Sequence, residues 1–191
     1  MPNGTHVVLY KRPSYQGEEY FNPKHSYSLN VLGISDPHGC IRYAYVRFPG
    51  SAHDTRVFIY TPVAQTPNVY FRDDEYILAD TGYPSSSNVV PTYKKTRARL
   101  GWQEREARER FNTAVAQERI VVENTFGRLK GWCQSLRGLP IDIRNGRLHQ
   151  MLCLWVRACN VLHNMMCTTR IGQQCRMQMK LTVLARKSLP K

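Results

Sequence analysis

The order of hydrophobic periods constrains this chain more than any other feature: alternating, strand-like runs fill the first half and helical spacing fills the second. Thr5 to Tyr10 reads as a short strand closed by Lys11-Arg12-Pro13. Ser28 to Ser35 (SLNVLGIS) and Ile41 to Phe48 (IRYAYVRF) are β-rich runs joined by Asp36-Pro37-His38-Gly39, whose Pro and Gly suit a tight turn, so an antiparallel hairpin is expected. After Pro49-Gly50, Ser51 can cap a short helix, and Asp54, three residues on, can complete a capping-box-like arrangement. Tyr76 to Ala79 is a compact apolar run ending in Asp80 and the turn residues Thr81-Gly82-Tyr83-Pro84, which predicts a buried strand with a carboxylate at its exit.

From Gln103 to Trp132 there is no proline, and Phe111, Val115, Val122, Phe126 and Leu129 fall close to one helical face. A long amphipathic helix follows, with a break near Asn112 left open. Leu148, Met151, Leu152, Trp155, Val156, Cys159, Leu162 and Met166 give a final helix its own apolar stripe. Beyond Cys167 the chain is polar and basic without a pattern, and residues 168–191 read as a disordered basic tail. The resulting order, three strands, a helix, a strand and then helices, is that of an RNase H-like α/β domain over residues 1–167. Such a domain has an antiparallel first three strands, then a parallel central strand, with helices flanking the mixed sheet. Its first and fourth strands lie side by side, so carboxylates at their ends can meet.

Composition removes several classes. With 42% hydrophobic and 21% charged residues in 191, the chain can bury a core and has no disordered or collagen-like signature. No apolar run approaches the roughly 18 to 20 residues of a membrane span, and MPNGTHVVLY is not a charged leader followed by an apolar stretch. A soluble, unsecreted protein is expected, with no membrane partner. Its six cysteines, none in Cys-x-x-Cys spacing, are expected as reduced thiols.

The charge is unevenly placed. Residues 1–91 carry 7 Lys+Arg against 8 Asp+Glu, net −1, and residues 92–191 carry 20 against 6, net +14. A local excess of that size attracts polyanions and binds phosphate by counterion release, which makes DNA the leading partner class. Tyr93, Lys94, Lys95, Arg97, Arg99 and Trp102 form a segment suited to following a nucleic-acid backbone; a solvated linker is the other reading.

Within this basic setting, carboxylates point to phosphodiester chemistry, because Mg²⁺ and Mn²⁺ take hard oxygen ligands. Asp80 at a strand exit and Glu123 on the long helix are the best pair. Arg119, Arg128 and Lys130 lie around Glu123 as phosphate contacts, although an ion pair between Glu123 and Arg119 on a solvated helix explains the same spacing.

Four ordered segments resemble the successive signatures of the DDE nuclease domain of PIF/Harbinger-type transposases: Pro49-Gly50-Ser51-Ala52-His53-Asp54-Thr55-Arg56-Val57, Ala79-Asp80-Thr81-Gly82-Tyr83-Pro84, Val121-Val122-Glu123-Asn124-Thr125-Phe126-Gly127-Arg128-Leu129-Lys130 and Val161-Leu162-His163-Asn164. The resemblance covers roughly residues 3–166 and includes Tyr20-Phe21-Asn22-Pro23-Lys24. It implies an RNase H-like fold, DNA cleavage and strand transfer dependent on Mg²⁺ or Mn²⁺, a nuclear location and a Myb-like accessory partner. Asp80 and Glu123 match the second and third acidic positions. Where the family pattern has its first Asp, before Gly4-Thr5-His6, this chain has Asn3, which offers a carbonyl oxygen but no charge. The family's upstream helix-turn-helix region has no counterpart here, so an N-terminally truncated or domesticated member is expected. Asp54 reads first as a helix cap and second as a further metal ligand. His6 either orients a ligand or packs as a strand histidine. The Cys/His pairs at i,i+4 on the last helix (His149 with Cys153, Cys159 and Cys167 with His163) read as core packing.

Overall fold

The computed structural model describes residues 1–94 and 101–187, with side chains through residue 169. Strands β1 (Pro2–Leu9), β2 (Tyr27–Ser35) and β3 (Ile41–Pro49) form an antiparallel sheet in that order. The hairpin between β2 and β3 closes as its sequence demands. Asp36 Oδ1 accepts from the amides of His38 and Cys40, both at 2.9 Å, and Gly39 takes the positive φ of 80° that favours glycine.

Alternation along β2 assigns the two faces. Leu29 and Val31 pack with Val7, Val122, Phe126, Leu129, Leu152 and Val156, so this face is covered by α4 (Trp102–Trp132) and α5 (Gly146–Lys187). Leu32 and Ile34 point the other way, against Val57, Phe58, Val63, Ala79, Tyr83 and Val89. That second layer comprises α1 (Asp54–Ile59), α2 (Pro62–Gln65), α3 (Pro67–Tyr70) and the strands β4 (Ile77–Ala79) and β5 (Val89–Pro91).

The expected ladder between the first and fourth strands is not found among the described residues. β4 lies beside β1 but pairs in parallel with β5, giving a separate two-stranded sheet. Two features oppose a longer pairing. β4 is only three residues long, and Pro2, at the end of β1 nearest to it, has no N–H to donate. The far end of β1 is taken by another segment: the Leu139 amide donates to Val8 O at 2.8 Å and the Tyr10 amide to Leu139 O at 3.0 Å.

Three local expectations change. Helix α1 begins at Asp54 with His53 as its N-cap, and no side chain caps it, so neither Ser51 nor Asp54 acts as the sequence motif suggests. The Asp54 carboxylate is captured instead by Asn30 of β2, whose Nδ2 donates to Oδ1 at 2.9 Å and to Ala52 O at 2.7 Å. Helix α4 runs unbroken through Asn112, because that side chain turns outward and pairs with the Tyr93 backbone, accepting from its N–H at 2.9 Å and donating to its C=O at 3.0 Å. Helix α5 continues to Lys187, so the backbone over 168–187 is helical where a tail without structure was expected. Met, Gln, Leu, Lys, Ala and Arg favour helix there and no proline intervenes.

Asn164 and His163 fasten α5 to the hairpin. Asn164 accepts from the Ile41 amide at 2.8 Å and donates to the Ile41 carbonyl at 2.7 Å, and His163 Nε2–H donates to Gly39 O at 2.9 Å. Among the described residues no helix is long and apolar enough to cross a membrane.

Candidate active site

A cavity of about 260 Å³ opens along the free edge of β1, lined by residues of five separate segments. β1 contributes Asn3 and His6, the Tyr20-to-Lys24 segment contributes Pro23, the start of α1 contributes His53, Asp54 and Thr55, the exit of β4 contributes Asp80, Gly82 and Tyr83, and α4 contributes Arg119. Asp80 arrives there because β4 ends at Ala79 and the chain turns at once, with the Tyr83 amide donating to Asp80 O at 3.0 Å. The Thr81 amide donates to Asp80 Oδ1 at 2.7 Å and fixes the rotamer of the carboxylate. Thr55 Oγ1 donates to Gly82 O at 3.2 Å, tying the start of α1 to the same turn.

Arg119 joins the two acids that the sequence paired. Its Nη1 is 3.0 Å from Asp80 Oδ2 and its Nε is 3.1 Å from Glu123 Oε1, so residues 43 positions apart share one guanidinium. The ion pair foreseen as the alternative role of Glu123 is therefore formed, and it has a third member. All three side chains are about half exposed, so solvent screens the network and its worth to folding is small. Glu123 stands on the rim and does not line the cavity.

Asn3 also lines the cavity, but its Oδ1 accepts from the Gly4 amide at 3.0 Å, which engages the oxygen that would face a metal. By strand alternation Gly4 and His6 face α1, and Asp54 lies directly over Gly4. A Cβ at position 4 would collide with the Asp54 carboxylate, so glycine is required there for a steric reason. Among the described residues Asp54 has no cationic partner within ion-pair distance, in contrast to Asp80.

His6 is held from behind. Its Nδ1 shares a 3.0 Å hydrogen bond with Ser28 Oγ, which also accepts from Asn22 Nδ2 at 2.7 Å. Buried Asn22 comes from the Tyr20-to-Lys24 segment, which braces His6 through this hydrogen bond and lines the cavity with Pro23. Burial lowers the His6 pKa, Asp54 works against that shift, and Lys24 and Lys130 add to it. Tyr83 is 8% exposed, and among the described residues its hydroxyl has no hydrogen-bond partner. Burial, then the charges of Asp54 and Asp80, hold the phenol well above its ordinary pKa, so it is a donor at any ordinary pH.

The expected phosphate contacts divide. Lys94 and Arg119 line a second cavity of about 430 Å³ together with Tyr93 and Asn112, and it shares Asp80 and Arg119 with the first. Lys130 is turned inward, its Nζ donating to His6 O at 2.6 Å, and burial lowers its pKa. Arg128 covers the hairpin turn at Gly39 and donates to Thr125 Oγ1 at 3.5 Å. Tyr93 packs beneath the Arg108 guanidinium, 4.8 Å from its ring centroid, and edge-on to Phe111, while Trp102 is exposed. Lys95, Arg97 and Arg99 lie outside the described residues.

Asp54, Asp80 and the amide of Asn3 are hard oxygen donors of the kind magnesium and manganese select, so the residues fit such an ion chemically. Among the described residues no three His, Cys, Asp or Glu side chains are already gathered to hold one. The reason is visible in Arg119, which takes one oxygen each of Asp80 and Glu123. Sequence reasoning missed Asn30 and Tyr83. An asparagine inside the apolar run SLNVLGIS was the available signal for the first, and a tyrosine in the turn after Asp80 for the second.

Comparison with curated proteins and with solved structures returns no match. The family model described as DDE superfamily endonuclease matches residues 3–164, a span that contains Asn3, Asp54, Asp80, Arg119 and Glu123, and the chain therefore belongs to the DDE superfamily endonucleases.

Proposed function

We propose that this chain is the RNase H-like nuclease domain of a Harbinger-type transposase, spanning residues 1–167, in which the first of three acidic positions has been lost to Asn3. Membership of the endonuclease family makes DNA the substrate and phosphodiester cleavage the reaction. The observation that carries the finer reading is the meeting of Asp80 and Glu123 on one guanidinium at the edge of β1. Asp80 is the fixed ligand, oriented by the Thr81 amide. Glu123, on a long helix side chain, swings in when Arg119 releases it. Arg119 and Lys94 flank the cavity and turn to the phosphates of the DNA strand. A divalent cation bound there, Mg²⁺ or Mn²⁺, supplies the positive charge that offsets the reacting phosphate. Because Asn3 brings no charge, cleavage and strand transfer are weakened, and the natural setting is a nucleus with a Myb-like protein assisting DNA recognition.

The test is nicking of supercoiled plasmid in Mn²⁺. Asn3→Asp is expected to nick faster than the parent chain, and Asp80→Ala to abolish nicking in both. Equal nicking by Asp80→Ala and its parent would remove Asp80 from the chemistry. A second reading, a domesticated DNA-binding or partner-binding protein without catalysis, is favoured by one observation: Arg119 already pairs with both Asp80 and Glu123. There the guanidinium is a permanent filling of the site.

A further inference from the structure

Asp54 is a partly buried carboxylate that no cation neutralises among the described residues. Its one hydrogen-bond partner is the neutral amide of Asn30, itself 1% exposed. Charged groups withdrawn from water are ordinarily paired or bind a metal, so an unpaired carboxylate facing a cavity needs an explanation. The helix-capping explanation fails, because Asp54 bonds no backbone N–H of α1. Tyr83 supplies an independent sign: it lines the same cavity, is more than nine-tenths buried, and its hydroxyl, which feels the charges of both Asp54 and Asp80, has no hydrogen-bond partner among the described residues. Buried hydroxyls are rarely left unsatisfied, which indicates a polar occupant between them. Asn3 lines the same cavity but brings no charge, and its oxygen is already engaged by the Gly4 amide.

We infer that Asp54 supplies the charge missing at Asn3, so that Asp54 and Asp80 hold the divalent cation between them and the Tyr83 hydroxyl donates into the same space. This rests on the proposed nuclease reading and departs from it in naming Asp54 as a charged ligand. Gly4 is then part of the site, because only a residue without a Cβ lets the Asp54 carboxylate approach β1. The set remains composed of oxygen donors, which suits Mg²⁺ and Mn²⁺ and disfavours zinc.

The test is titration of the full chain with Mn²⁺ alone, read by the electron paramagnetic resonance of the free ion. Asp54→Asn preserves the acceptor for Asn30, and thermal unfolding verifies that it folds. Asp54→Asn and Asp80→Asn are each expected to weaken binding about tenfold or more. If Asp80→Asn weakens binding and Asp54→Asn does not, this inference falls and the nuclease reading survives. If neither changes binding, or the parent chain binds no Mn²⁺ at millimolar concentration, both fall. A second measurement needs no substitution at Asp54. Mn²⁺ is expected to broaden the amide resonances of Gly4 and Asn30 together with that of Thr81, and broadening at Thr81 alone would place the ion away from Asp54. Tyr83→Phe is expected to raise the melting temperature of the metal-free chain and to reduce the further rise produced by Mn²⁺; an unchanged rise would remove the hydroxyl from the site.

Discussion

His163 shows how one residue can carry a motif without entering the cavity. It is fully buried between α5 and the β2–β3 hairpin, with Nε2–H on Gly39 O, Cys167 Sγ 3.3 Å from Nε2 and the Trp132 ring tilted by 38° at a centroid distance of 5.0 Å. Its Nδ1 has no partner among the described residues, so the neutral ring is satisfied on one side and a second proton would be buried without an acceptor there. Burial accordingly lowers the pKa below 6.5, the Gly39 hydrogen bond opposes this and Arg128 adds to it. Below pH 6.5 the unfolded chain binds more protons than the folded one. The stability contributed by a neutral His163 is therefore complete above pH 6.5 and is lost as pH falls through the lowered folded value. His6 shifts in the same direction and adds to the trend. Thermal unfolding between pH 7.5 and pH 5 should show a falling melting temperature. His163→Gln, though less stable throughout, should show a shallower fall; an unchanged slope would assign the effect to other groups.

At the scale of elements, asparagines act as pieces of backbone. Asn112 on α4 pairs with both backbone groups of Tyr93, and Asn164 on α5 does the same for Ile41 at the start of β3. Each therefore gives a helix a strand-like edge. Asn164→Ala removes two hydrogen bonds to partly buried backbone and is expected to cost about 1 to 3 kcal/mol, with faster amide exchange at Ile41. Loss of less than about 0.5 kcal/mol in denaturant unfolding would mean that water replaces the side chain without penalty. These ties explain what the sequence did and did not disclose. Alternation in SLNVLGIS, the Asp36-to-Gly39 turn, the strand exit at Asp80 and the apolar stripe of α4 are local patterns, and each is found in its place. Asp54 was legible first as a cap and only second as a further metal ligand, because a capping box is a local motif, whereas capture by Asn30 from 24 positions away leaves no periodic trace. Lys130, whose ammonium ends on His6 O 124 positions away, reads in sequence as one more solvent-facing cation for the same reason. The Arg119–Glu123 pair was visible at its i,i+4 spacing, while Asp80 as its third member depended on where β4 ends.

Over the whole molecule, the basic half decides how DNA is met. Four of its six acids, Glu104, Glu106, Glu123 and Asp142, are already paired with arginines of the same half. Arg105, Arg128, Arg137, Arg147 and Arg157 have no carboxylate within ion-pair distance among the described residues, so their charge is uncompensated at short range. A protein that neutralises about six phosphates loses roughly a thousandfold in affinity between 50 and 200 mM salt, with a logarithmic slope near −5. Duplex binding by this chain should follow such a slope in fluorescence anisotropy, and salt-independent binding would show that the net +14 of residues 92–191 is not the contact surface. Repeating the titration at constant ionic strength with Mn²⁺ separates the two functional readings. A nuclease site gains affinity when the ion bridges carboxylates and phosphate, and that gain should vanish in Asp80→Ala while the salt slope stays. A noncatalytic binder keeps the slope, ignores Mn²⁺ and is indifferent to Asp80→Ala.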